Sequence, residues 1–105
     1  MLRIPPSILA QVILFGRELP RAEAELRGLI DALDVEARID LIVVMWIGRD
    51  SFDAEELSEA RAVAAVEATT PTADYLLGTP HFAAHLEAGM EALGLDPVAA
   101  EAAIL

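Results

Sequence analysis

The chain has no cysteine, no lysine and no asparagine among its 105 residues. Without cysteine there is no disulfide framework, no Cys-based zinc site, no thiol nucleophile and no iron–sulfur cluster. Without lysine there is no Schiff-base chemistry. Arg and Ala codons are GC-rich and Lys and Asn codons AT-rich, so base composition accounts for this bias. Aromatic residues are few: Phe15, Phe52, Phe82, Tyr75 and Trp46. The glycines have neither G-x-G-x-x-G nor P-loop spacing. The longest apolar run, residues 41–48, falls far short of the roughly 20 residues that cross a membrane. Arg3 before the apolar segment 8–15, with Ala22-Glu23-Ala24 behind it, has the outline of a secretory leader. Pro5-Pro6 and Gln11 interrupt that segment, so an ordinary first helix and a cytoplasmic location are expected.

Positive charge is scarce too. Seven arginines face 18 acids, a net charge of −11. Residues 1–61 hold all seven arginines and 12 of the acids, and residues 62–105 hold six acids and no cation. Such a surface repels a phosphate backbone, so no nucleic acid is expected as partner. The acidic second half is expected to be a solvated face that keeps a small protein in solution. The alternative is a docking face for a basic protein partner. Apolar residues make up 55% of the chain, too many for disorder. Twenty of them are alanine, so the core rests on 15 Leu, 8 Ile and 7 Val.

The punctuation is helical. Pro5-Pro6 opens a first helix, residues 7–18, whose segment Ile8–Phe15 is apolar nearly all round. Pro20 opens a second to about residue 33, with Leu26, Leu29, Ile30 and Leu33 as one stripe. Asp34 caps a third, residues 35–47. Val35, Ile39, Ile42 and Trp46 share one face of it, and Glu36 and Asp40 mark the opposite face. Its second half is apolar on all sides, and Gly48 ends it. A strand competes there, because residues 39–47 are rich in β-branched side chains. Asp53 and Glu56 have capping-box spacing. They open a fourth helix to about Ala68, with Leu57, Ala60, Ala64 and Ala68 as a flat face. Thr70-Pro71, Thr79-Pro80 and Asp96-Pro97 each read as a cap followed by Pro at the first helical position. The first opens a short helix ending at Gly78, the second a helix to Leu93 stopped by Gly94, the third a C-terminal helix.

Residues with chemistry are sparse. His81 and His85 stand at i, i+4 of one predicted helix, a spacing that can hold a metal, and Asp74 is the third ligand to look for. No H-E-x-x-H motif supplies a base. The two histidines are otherwise side chains at the boundary of the core, packing on Phe82 or Leu86. Ser7, Ser51 and Ser58 fall at helix starts, not in a strained nucleophile turn. Trp46-Ile-Gly-Arg49 is the most distinctive string, read as core packing or as an interface anchor.

The strings Leu29-Ile-Asp-Ala-Leu33, Arg38-Ile-Asp-Leu41, Met45-Trp-Ile-Gly-Arg49, Thr72-Ala-Asp-Tyr-Leu-Leu-Gly-Thr-Pro80 and His85-Leu-Glu-Ala-Gly89 are together similar to a known family. From about Leu26 to Leu93 the chain resembles domain-of-unknown-function family 3775, a set of short bacterial proteins. The resemblance implies no activity, cofactor or catalytic residue. It implies apolar or aromatic side chains at positions 81 and 85, from which the two histidines depart.

The expectation is therefore an all-α, compact single-domain bundle over residues 1–105, with about six helices, several short and Pro-initiated, and the third helix central. No cofactor is expected. A 105-residue monomer offers little interior for two helices that are apolar all round, which predicts a homodimer. Its interface candidates are Ile8, Val12, Phe15, Trp46 and Arg49. The expected role is a non-enzymatic, self-associating or protein-interaction module. The alternatives are an acidic regulator or nucleic-acid mimic that binds a basic partner, and a metal-dependent enzyme using His81 and His85.

Overall fold

The structure is a computed structural model and describes residues 2–67 and 70–103. Among the described residues there are seven α-helices and no strand: α1 (Pro6–Gly16), α2 (Glu23–Asp31), α3 (Val35–Gly48), α4 (Leu57–Glu67), α5 (Thr72–Leu77), α6 (Phe82–Ala92) and α7 (Pro97–Ala102). A 3-10 turn, Ala54–Glu56, leads into α4. The fold is all-α, and no described helix is long and apolar enough to cross a membrane.

α3 is the central element. Its start is fixed by Asp34, whose side chain accepts from the Ala37 N–H at 2.8 Å. From Asp40 to Ile47 every side chain is buried, as its apolar second half requires. α6 covers one side of α3, α4 another, and α5 leans on a third. Residues 39–47 are thus helical, and tertiary cover outweighs their strand preference.

The α3–α6 crossing is made by two glycines. A Cβ placed on Gly48 would lie 1.6 Å from the His85 carbonyl oxygen, and one on Gly89 would lie 2.0 Å from the Val44 carbonyl oxygen. The two backbones touch there, and only glycine permits it. α3 does end at Gly48, but the left-handed closing residue is Asp50, at φ 66°, and not the glycine. The Ser51 N–H then donates to Trp46 O at 2.9 Å and the Asp50 N–H to Ile47 O at 3.1 Å, a Schellman closure. α6 ends in the same way at Gly94, φ 80°, with Leu95 N–H donating to Met90 O at 2.8 Å.

Asp40 does not lie on a solvent face as its spacing from Glu36 suggested. It is fully buried. One carboxylate oxygen accepts the backbone N–H groups of Arg3 and Ile4, and the other meets the Arg61 guanidinium from α4. Arg61 also donates to Glu36 at 2.6 Å. One carboxylate thus ties the N-terminal segment, α3 and α4 together. Desolvation of such a group is tolerable only with partners of this kind.

α4 lies on α3 through Ala60 and Ala64, both buried, as the flat face predicts. The expected Ala68 contact lies outside the described residues. Of the three Pro junctions only the last behaves as expected: Asp96 accepts from Val98 N–H at 3.0 Å and Ala99 N–H at 3.2 Å. Thr70 caps nothing and α5 starts at Thr72 after Pro71. The Thr79 hydroxyl donates back to Tyr75 O at 2.8 Å. Pro80 lies in a turn, His81 is left-handed at φ 60°, and α6 starts only at Phe82. Pro20 likewise opens a turn and not α2, which begins at Glu23.

Both apolar helices find cover within the one chain. On α1, Leu9, Ala10, Val12 and Ile13 are buried, against α2, α6 and α7. Val12 is fully buried and Trp46 is 8% exposed. Neither is free to anchor a second copy, and the interior proves large enough for both helices.

Candidate functional site

α3 places Val35, Arg38, Ile39, Ile42, Trp46 and Arg49 within an arc of about 100° at 3.6 residues per turn. The N-terminal end of this face is a groove of about 300 Å³ lined by Val35, Arg38, Ile39, Ala65, Pro71 and Thr72, among others. It is closed on either side by α4 and by the start of α5. Three large apolar side chains stand well exposed, Val35 at 60%, Val66 at 83% and Val98 at 74%. Val35 lines the groove and Val66 follows the lining residue Ala65.

At the C-terminal end the face becomes aromatic. Trp46 Nε1–H donates to the Tyr75 hydroxyl at 2.9 Å, and the Trp46 ring stacks on Phe52 with centroids 5.7 Å apart. Arg49 is exposed. Its Nε donates to Ser51 Oγ at 3.0 Å and Nη2 reaches the Tyr75 hydroxyl at 3.4 Å. The guanidinium is thus oriented by two neutral oxygens and is not neutralised. Met45–Arg49 and Thr72–Pro80, distant in sequence, meet through this Trp46–Tyr75–Arg49 contact.

The other arginines are mostly spent on acids. Arg17 joins α1 to Glu87 of α6 and to Glu101 of α7, the latter at 2.8 Å. Partial burial pulls its pKa down, but the hydrogen bonds to Glu87 and Glu101 outweigh this and hold it above the ordinary value. Arg27 pairs with Glu23, one turn back on α2, at 3.0 Å, and with Asp74 of α5 at 2.6 Å. Hydrogen bonds to Asp74 and Glu23 raise its pKa. Arg21 pairs with Glu18, and Arg61 with Asp40 and Glu36. Among the described residues, the guanidinium groups of Arg3, Arg38 and Arg49 have no carboxylate partner.

These pairs also change the picture of the acidic second half. Asp74, Glu87 and Glu101 are neutralised by arginines from the first half of the chain, and Asp96 is occupied as a cap.

The remaining sequence candidates separate. Ile8 and Phe15 are half-buried on α1. His81 is exposed outside α6, on the rim of a second groove with Arg17, Thr79 and Phe82. His85 is half-buried within α6. The i, i+4 helical geometry that would present both imidazoles to one ion is therefore not formed, and Asp74 is committed to Arg27. Among the described residues no three His, Asp or Glu side chains converge on one point. The residues that sequence reasoning missed are Arg38, Tyr75 as the acceptor for Trp46, and Ser51. The pairing of Trp46 with Tyr75 spans 29 residues and leaves no local signal.

No curated protein and no solved structure matches the chain at a significant level. Residues 23–95, from the start of α2 to the closure of α6, match a family described as "Protein of unknown function (DUF3775)", and the chain belongs to that family.

Proposed function

We propose that this protein is a non-enzymatic interaction module that docks another polypeptide on the face of α3 beside α5. One observation carries the reading: Val35 is 60% exposed on a groove, and the same helix face runs on to the oriented, unneutralised Arg49. An exposed apolar side chain over a groove, with an exposed arginine farther along the same face, suits a polypeptide partner. The test uses Val35→Asp, which sits directly after the α3 cap, where an acid suits the helix dipole and leaves the fold intact. Val98→Asp on α7 is the control. Affinity capture from an extract of the encoding organism should lose its specific proteins with Val35→Asp and keep them with Val98→Asp. Identical captured sets with all three proteins would contradict the reading.

Self-association is the second reading. It is favoured by α1, which carries no charged residue, in a chain of net charge −11. Contact between copies of an acidic protein costs least there. It now rests on Ile8, Leu14 and Phe15, the half-buried outer edge, and no longer on Val12. The reading as an acidic mimic is supported less, since three of the six acids in residues 62–105 are already paired.

A further inference from the structure

The large apolar side chains exposed on the described surface fall in two places. Val35 lines the groove between α3, α4 and α5, and Val66 follows its lining residue Ala65. Val98 stands on α7, which rests on α1 and α6 instead. With Val35 60% exposed and Val98 74% exposed, neither covers the other within one chain. Ala99 and Ala102 are exposed beside Val98, and all three fall within an arc of about 100°. The outward side of α7 is therefore narrow and apolar, a shape that suits a groove of about 300 Å³.

Charge agrees with shape. Arg38 lines the groove and meets no carboxylate among the described residues. Asp96 stands two residues before Val98. Its Oδ1 accepts both cap hydrogen bonds, and its Oδ2 has no partner among the described residues. A contact of groove on groove would instead bring two copies of Arg38 into one interface.

We propose that the groove takes α7 of a second copy of this chain, with Val98 seated beside Val35 and Asp96 facing Arg38. The inference rests on the docking reading above and names the occupant. The contact is head-to-tail: every copy offers a groove at one place and α7 at another, so association runs past two copies into a ring or a fibre. A six-residue helix covers less than the roughly 800 Å² per partner of a standard interface. Two chains of net charge −11 also repel, although physiological salt screens this beyond about 8 Å. The assembly is therefore weak and forms only at high protein concentration.

Sedimentation equilibrium of the full chain, from micromolar to millimolar concentration in physiological salt, should show a mass that rises past the dimer. Val35→Asp spoils the groove and Val98→Asp the inserted side chain; both positions are exposed, so helicity stays unchanged. Each variant alone should associate at least tenfold more weakly. An equimolar mixture of the two joins one intact groove to one intact α7 and should form a dimer and stop there. Arg38→Glu should weaken assembly about fivefold. A wild-type protein that is monomeric throughout, a mixture that stays monomeric, or undiminished assembly of Val98→Asp or Arg38→Glu overturns the inference. A dimer lost with Val35→Asp and kept with Val98→Asp is groove on groove, and overturns it too. In the extract capture, copies of this chain are scored apart from other proteins, because a Val35→Asp bait still offers Val98. If the wild type is monomeric and other proteins are still lost with Val35→Asp, the docking reading stands alone; if they are kept, both fall.

Discussion

Replacing either glycine of the α3–α6 crossing with alanine is the sharpest perturbation the fold offers. In a helix interior Gly→Ala ordinarily stabilises by about 1 kcal/mol. Here the new Cβ of Gly89→Ala falls 2.0 Å from Val44 O. The closest comfortable C···O approach is about 3.3 Å. The helices must therefore separate by about 1.3 Å at Gly89, and by about 1.7 Å for Gly48→Ala. A gap of about 0.5–1 Å already forfeits a quarter to a half of a dispersion contact. Leu86 and Met90 are fully buried on α6, and full burial of such side chains is worth about 1.5–3 kcal/mol each. Losing about half from each, together with the facing Val44 and Ile47, comes to about 3–6 kcal/mol. The propensity gain does not offset this, and total domain stability is only about 5–15 kcal/mol. Urea unfolding followed by far-UV circular dichroism and by Trp46 fluorescence measures the difference. Gly28→Ala is the matched control, since a Cβ there meets nothing within 4 Å; it should gain about 0.5–1 kcal/mol. A Gly89→Ala protein within about 0.5 kcal/mol of wild type would refute the close crossing.

Asp40→Asn removes the buried charge that faces half-buried Arg61 and should cost about 2–3 kcal/mol, Glu36 still pairing with Arg61, read by the same urea titration; a loss under about 0.5 kcal/mol would deny the pair. Val12→Asp should unfold the chain, because it places a charge in the protomer core; an intact helical spectrum with only a change in molar mass would return α1 to the role of interface. Asp50→Gly relieves a left-handed non-glycine at the close of α3 and should stabilise by about 1 kcal/mol, whereas Gly94→Ala should destabilise by a similar amount; thermal midpoints moving together would contradict the two closures.

Local signals carried most of the architecture. The Asp34 cap, the Asp53–Glu56 capping box, the Asp96-Pro97 start and the Gly94 stop are all short-range chemistry, and each is where the sequence puts it. The centrality of α3 followed from its apolar half. What escaped was set by distant partners. Asp40 shares a spacing with Glu36 that suits a solvent face, but its partners are Arg61 and the backbone of residues 3 and 4. Gly48 does end α3, but the reason for a glycine there is the carbonyl of His85 on another element and not a left-handed closure. His81 is lost to the α6 helix because the chain must turn sharply between α5 and α6. Of the proposed site, Trp46, Arg49 and Val35 were visible on one face, while the groove emerges only once the helices are assembled.

The central claim is that polypeptides dock along α3 beside α5, and Trp46 reports on it directly, being the only tryptophan in the chain. A peptide selected on the full protein is titrated by calorimetry and, in parallel, by Trp46 emission. The account predicts a saturable emission change with the calorimetric dissociation constant, lost together with the binding heat in Val35→Asp. Heat of binding with Trp46 emission unmoved, and retained in Val35→Asp, would place the partner elsewhere and contradict it.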